Sequence, residues 1–227
     1  MKKIKETAKS LRDSLQRGIY VVINPFVHLL IRMGVTPNAV TAIGFLGNVA
    51  ASIIVGYAAY QSLHTEMDWS LLIWGGALIL GFSLFDMLDG QVARLGNRTS
   101  RFGAFFDSVL DRYCEFFTVG SVTYLLLCRG WEIAALLAFL ALMGSLLVSY
   151  TRARGEGLGV VCKIGFMQRP ERVVLTALSL LATGICGVVG KSCFDPLVIV
   201  AVTMGVMAFF TNMTAIARIN YLRKALK

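Results

Sequence analysis

The chain has 227 residues, 56% of them apolar and 15% charged, against roughly 25% charged in an average soluble domain. That balance excludes a disordered chain and a collagen-like repeat. The net charge of +9 sits in Lys and Arg residues placed between long apolar runs, which is the pattern of a membrane bundle rather than a nucleic-acid tail.

In chain order, residues 1–35 read as a cytoplasmic or interfacial amphipathic segment. Met1 to Gln16 is basic, with Ile4, Ala8, Leu11 and Leu15 at helical spacing, as in a helix lying on a membrane surface. No short apolar stretch with a cleavage site follows it, so it does not read as a signal peptide. Residues 36–227 read as one all-α integral membrane domain of six transmembrane helices, at 39–60, 70–90, 104–128, 132–152, 171–190 and 196–218. Each run is long enough to cross ~30 Å of hydrocarbon. Thr36-Pro37-Asn38, with Thr41, opens the first span as a helix N-terminus. Of the 22 Lys and Arg residues, all but Arg129 and Lys191 fall on one side of this arrangement, which predicts that both termini are cytoplasmic. The 5 cysteines contain no C-x-x-C pair and their count is odd, so they read as small hydrophobes rather than a disulfide framework.

Two acid pairs break the apolar pattern. Asp86 and Asp89 are spaced i, i+3 near the end of the second span; Asp107 and Asp111 are spaced i, i+4 near the start of the third. Each spacing puts both carboxylates on one helix face. The helical rise places Asp86 about 26 Å from Trp69, and Asp111 about 27 Å from Arg129. Both pairs therefore reach the same level, just inside the inner interface. An isolated Asp at mid-membrane costs roughly 2.5–3.5 kcal/mol, so the quartet needs compensation. Arginines could supply it as an ion-pair network, with Arg94 and Arg112 nearby. Two divalent cations would cancel the charge fully, and an all-oxygen ligand set favours Mg²⁺ or Mn²⁺ over Zn²⁺. The spacing is not that of an EF-hand calcium loop.

The neighbouring residues suggest what such cations hold. Gly90 and Gly103 leave room for a ligand beside the backbone, and Ala93 keeps the next turn small. Arg94 offers a planar fork to phosphate, and the 96–101 connection adds hydroxyl and basic groups. Together these describe a two-metal diphosphate site open to the cytoplasm.

Asp86-x2-Asp89-Gly90-x2-Ala93-Arg94-x8-Gly103-x3-Asp107-x3-Asp111 resembles, without a mismatch, the motif of the CDP-alcohol phosphotransferase family. The match fixes eight positions over 26 residues. The resemblance implies a six-helix homodimer that transfers a phosphatidyl or similar group from a CDP-linked lipid, CDP-diacylglycerol, to an alcohol and releases CMP. It implies that Asp86, Asp89, Asp107 and Asp111 hold two metals, Mg²⁺ first and Mn²⁺ second, with Asp111 also the general base. It places Gly90, Ala93, Arg94, Ser100 and Gly103 in the nucleotide-diphosphate pocket. Pro37, Asn38 and Thr41, from a T-P-N-x-x-T segment, lie beside the nucleotide by the same resemblance.

The acceptor is read from a second basic set. Arg152 lies about 31 Å from Trp131 by helical rise, near the level of the acids. With Arg169, Arg172 and Arg218 it could surround the phosphate of a phosphorylated polyol; the alternative is that these residues are membrane anchors. The D-S-V-L-D-R, R-A-R and R-P-E-R segments resemble the prokaryotic phosphatidylinositol-phosphate synthases, which implies inositol 1-phosphate as acceptor and a bacterial or archaeal cell membrane as location. Arg152 stands where Lys is common, and Glu156 stands one place late. Glycerol 3-phosphate and free inositol therefore stay open as acceptors. An ion-coupled transporter is the non-enzyme alternative, although no repeated halves are visible. A membrane prenyltransferase would lack the D-G-x-x-A-R continuation.

Overall fold

A computed structural model describes residues 24–162, 164–165, 167–190 and 194–226, and every regular element among them is an α-helix. Residues 24–32 form α1. It is followed by α2 (Pro37–Gln61), α3 (Ser70–Ser83), α4 (Phe85–Leu95), α5 (Arg101–Cys128), α6 (Glu132–Gly157), α7 (Arg169–Val189) and α8 (Leu197–Ala225). The surface helix expected over Met1 to Gln16 lies outside the described residues.

Among the described residues, five stretches are long and apolar enough to cross a membrane: Pro37–Gln61, Ser70–Leu95, Glu132–Gly157, Arg169–Val189 and Leu197–Ala225. The third expected span, α5, is 28 residues long but carries Asp107, Asp111, Arg112 and Glu115 and is not among these five. The second expected span is interrupted at Leu84, between α3 and α4. There the Ser83 hydroxyl donates back to the Ile79 carbonyl at 2.6 Å, a contact that bends helices. The charged ends of α6 and α8 continue as helix past the expected limits, to Gly157 and Ala225. Large apolar side chains such as Trp74, Ile133, Phe139, Val202 and Phe209 are exposed, far more apolar surface than water tolerates.

The described chain forms two compact units. The larger comprises 45–83 and 109–227. In it α6 packs on α8, α8 on α7 and α7 on α3, around Leu72, Ile79, Leu125, Leu126, Leu180 and Met204. Small residues allow the close helix approach that substitutes for hydrophobic driving force in lipid. A Cβ at Gly76 on α3 would lie 2.8 Å from the Ala177 carbonyl of α7, and one at Gly144 on α6 would strike Thr211 of α8. Asn212 of α8 adds an interhelical bond, donating to the Leu140 carbonyl at 3.1 Å.

The smaller unit comprises 1–44 and 84–108. Among its described residues, Val27, Val40, Leu88 and Val92 form a small core, with Leu30, Ile31, Val35 and Phe85 packed against it. One face of α4 enters this core; the other carries the D-x-x-D-G motif.

Candidate active site

Three local devices shape the smaller unit. Thr36 caps α2, accepting from the Ala39 N–H at 3.3 Å with its hydroxyl, and Pro37 fits the first turn because its missing donor is not needed there. α4 ends in a reversal in which the Arg98 N–H donates to the Ala93 carbonyl at 2.9 Å and Asn97 takes a φ of +50°. Asn tolerates that left-handed conformation at a helix end. Ser100 then caps α5, accepting from the Gly103 N–H at 2.9 Å. The first turns of two helices, whose free N–H groups favour anions, thus border one concavity.

That cavity has a volume of about 230 Å³. It is lined by every residue expected beside the CDP-linked lipid: Pro37, Asn38 and Thr41 from α2, Gly90, Ala93 and Arg94 from α4, and Ser100 and Gly103 at the start of α5. Asp89 and Asp107 complete the wall, with Arg98 and Thr99 of the 96–101 connection and with Ala104, which the sequence did not single out. A Cβ at Gly90 would find nothing nearer than Arg94 Nη2 at 3.5 Å, so the space beside it belongs to the cavity. At Gly103 a Cβ would stand 3.0 Å from Ser100 Oγ and 3.1 Å from Asn38 Oδ1; there glycine lets the two helix starts approach. Thr41 has a part its motif did not reveal. Its hydroxyl donates to Asp89 Oδ2 at 2.6 Å, fixing a carboxylate that is only 6% exposed.

Asp86, in the first turn of α4, and Asp107 each bring a carboxylate oxygen within 4.8 Å of the other. Carboxylate oxygens this close could serve one divalent cation, whose oxygen ligands stand at about 2.0–2.1 Å. Hard oxygen donors beside a phosphate-sized cavity suit Mg²⁺ or Mn²⁺. Asp111 follows one helical turn after Asp107 on the same face of α5.

In the larger unit, Asp111 has a partner that the sequence reading assigned elsewhere. Arg169 Nη2, at the start of α7, lies 2.7 Å from Asp111 Oδ1, while Arg112 Nη1 is 3.9 Å from Oδ2. One turn along α5, Glu115 meets Arg172. The guanidinium donates to both carboxylate oxygens, and its remaining nitrogen donates to the Met167 carbonyl at 3.3 Å. Arg172 is 2% and Glu115 6% exposed. Glu115 was missed, although an acid inside an apolar span is itself a signal. Both arginines border a small polar cavity with Asn48, Ser83, Thr118 and Thr176, of about 20 Å³, enough for one ordered water.

The other two arginines of the expected acceptor set are placed differently. Arg218 is buried on α8 and donates to the carbonyls of Ile164, at 2.8 Å, and Val148, pinning the chain that precedes α7. It lies within electrostatic reach of Arg152 and Arg172. Arg152 is exposed and pairs with Glu156 at 2.9 Å.

Residues 34–219 match the CDP-alcohol phosphatidyltransferase family. The chain belongs to this family. Relatives include the phosphatidylinositol phosphate synthase of Streptomyces avermitilis, 30% identical over 219 residues, which cover 95% of this chain and 84% of the relative. The archaetidylinositol phosphate synthase of Methanothermobacter thermautotrophicus is 32% identical over 205 residues, 89% of this chain and 94% of that protein. Among solved structures, the phosphatidylinositol phosphate synthase of Mycobacterium tuberculosis with CDP-DAG bound superposes with a TM-score of 0.73 at 25% identity, covering 87% of this chain and 92% of that one. The same enzyme in complex with manganese and citrate gives a TM-score of 0.72, covering 87% of each chain. As a CDP-alcohol phosphatidyltransferase with five apolar spans, this chain is an integral membrane enzyme.

Proposed function

We propose that this CDP-alcohol phosphatidyltransferase moves the phosphatidyl group of CDP-diacylglycerol onto the hydroxyl of inositol 1-phosphate and releases CMP. The observation that carries the reading is the cavity in the smaller unit. Eight motif residues from three helices converge on it, two helix N-termini border it, and Asp89 and Asp107 form its acidic wall. The acceptor is supported by relatives whose names, phosphatidylinositol phosphate synthase and archaetidylinositol phosphate synthase, share an inositol phosphate head group while differing in lipid.

In this reading Asp86, Asp89, Asp107 and Asp111 hold two divalent cations, Mg²⁺ in preference to Mn²⁺. Bound there, the cations would draw charge off the donor diphosphate and stabilise CMP as the leaving group. Arg94 and the first-turn N–H groups of α2 and α5 bind the diphosphate oxygens. Thr41 holds Asp89 in its rotamer, and Gly90 keeps the donor close to the backbone. The acceptor hydroxyl attacks the phosphatidyl phosphorus in line, the bond to the CMP oxygen breaks, and Asp111 takes the hydroxyl proton. Arg152, Arg169 and Arg218 supply the positive field that attracts the acceptor phosphate, while Arg172, matched by Glu115, holds the start of α7 in place. Residues 36–227 act as one catalytic domain in a homodimer. α5 is its sixth span, and both termini and the site face the cytoplasm, a reading that the Lys and Arg distribution supports.

The test is CMP release from CDP-diacylglycerol by the purified protein with a panel of acceptors. Inositol 1-phosphate is expected to be preferred over glycerol 3-phosphate and free inositol. Preference for either of the others would move the acceptor assignment, and CMP release with none would overturn the proposal.

A further inference from the structure

α5 and α7 meet through two ion pairs in one register. Asp111 and Glu115 are four residues apart on α5, and Arg169 and Arg172 are three apart on α7, so each set shares a helix face. The two pairs are built differently. Arg172 spends its fork on both oxygens of Glu115 and its third nitrogen on the Met167 carbonyl, and neither partner is more than 6% exposed. It cannot leave without stranding a buried charge. Arg169 Nη2 meets Asp111 Oδ1 at 2.7 Å, with side-chain exposures of 22% and 13%. Arg112, at 3.9 Å, is beyond strong hydrogen-bond distance. Here water and small ions can reach both partners, while the deep pair clamps the start of α7 so that Arg169 stays within range.

We propose that Arg169 is an exchangeable counter-ion of Asp111. It competes with a divalent cation for Oδ1, thereby setting the affinity of the metal site, and the cation releases its guanidinium. This deepens the proposed function and rests on its reading of Asp111 as a metal ligand.

The test is equilibrium Mn²⁺ binding to the detergent-solubilised full chain, compared with Arg169→Gln, Arg169→Lys, Arg112→Gln and Asp111→Asn. Arg169→Gln is expected to tighten Mn²⁺ binding about 5-fold or more. Arg169→Lys stays near the parent because the charge is kept, and Arg112→Gln changes affinity by less than about 2-fold. Unchanged or weaker binding in Arg169→Gln, or an equal gain in Arg112→Gln, overturns the proposal. A second readout needs no variant. Labelling of Arg169 by phenylglyoxal, mapped by mass spectrometry, should rise when Mn²⁺ is added, while Arg172 stays unreactive; labelling that does not rise overturns the exchange. If Asp111→Asn binds Mn²⁺ as tightly as the parent, or the parent binds none, the fault lies in the metal-ligand reading, and the proposal falls with it.

Discussion

The cavity of the smaller unit and the ion pairs of the larger one handle charge in opposite ways. The cavity is lined by small residues, capped helix starts and arginines, an arrangement suited to a polyanion. Between α5 and α7, each carboxylate is already matched by a guanidinium, and the match tightens with burial from Asp111–Arg169 to Glu115–Arg172. Intramembrane charge can thus be kept for a ligand or consumed by the fold. Glu115 and Arg172, 6% and 2% exposed, belong to the second use.

The sharpest way to break this comparison is to remove a carboxylate from each class. Asp107→Asn is expected to lower CMP release about 10³-fold, equivalent to several kcal/mol of lost transition-state stabilisation, with an unchanged thermal midpoint. Asp111→Asn should abolish transfer as well, while equilibrium binding of CDP-diacylglycerol persists; equal loss of both would remove its separate role as base. Glu115→Gln should do the reverse of Asp107→Asn. It strands Arg172 and destabilises the protein by about 3–5 kcal/mol, seen as a lower thermal midpoint, and replacing both partners by apolar residues should recover most of that loss.

Smaller changes sharpen the cavity half of the comparison. Gly90→Ala meets only Arg94, at ordinary contact distance, so the protein should fold normally. Its donor affinity should fall about 10-fold, the equivalent of ~1.4 kcal/mol, because the methyl group projects into the cavity. Normal donor affinity would show that the lipid diphosphate lies elsewhere. Ser100→Ala removes the α5 cap and should cost about 1 kcal/mol of stability, measured by thermal or chemical unfolding.

The motif segment of the smaller unit was legible from the chain alone because its spacing is local, whereas the joining of 1–44 to 84–108 was not. The D-G-x-x-A-R run, the Asn97 reversal, the Ser100 cap and the first turns of α5 follow one another within 26 residues, and spacing along a helix fixes which side chains share a face. The T-P-N segment is remote in sequence, yet it declared itself as a helix start. The pairing of α5 with α7 was not legible. Arg172 and Glu115 are 57 residues apart, and their meeting depends on which helices pack and in what rotation, information that a charge pattern does not carry. The R-P-E-R run showed basic residues at the opening of a span but not that Arg169 would reach a motif aspartate. Glu115 could have been suspected, since it continues the Asp107, Asp111 face by one more turn. The break at Leu84 was hidden because no proline stands there to announce it.

The central claim is that the aspartate cluster works only through divalent cations held against a diphosphate. The most direct measurement is CMP release from CDP-diacylglycerol and inositol 1-phosphate, made after exhaustive chelation and again after Mg²⁺ or Mn²⁺ is restored. Release should vanish on chelation and return with either ion. Undiminished release from the chelated protein would contradict the claim.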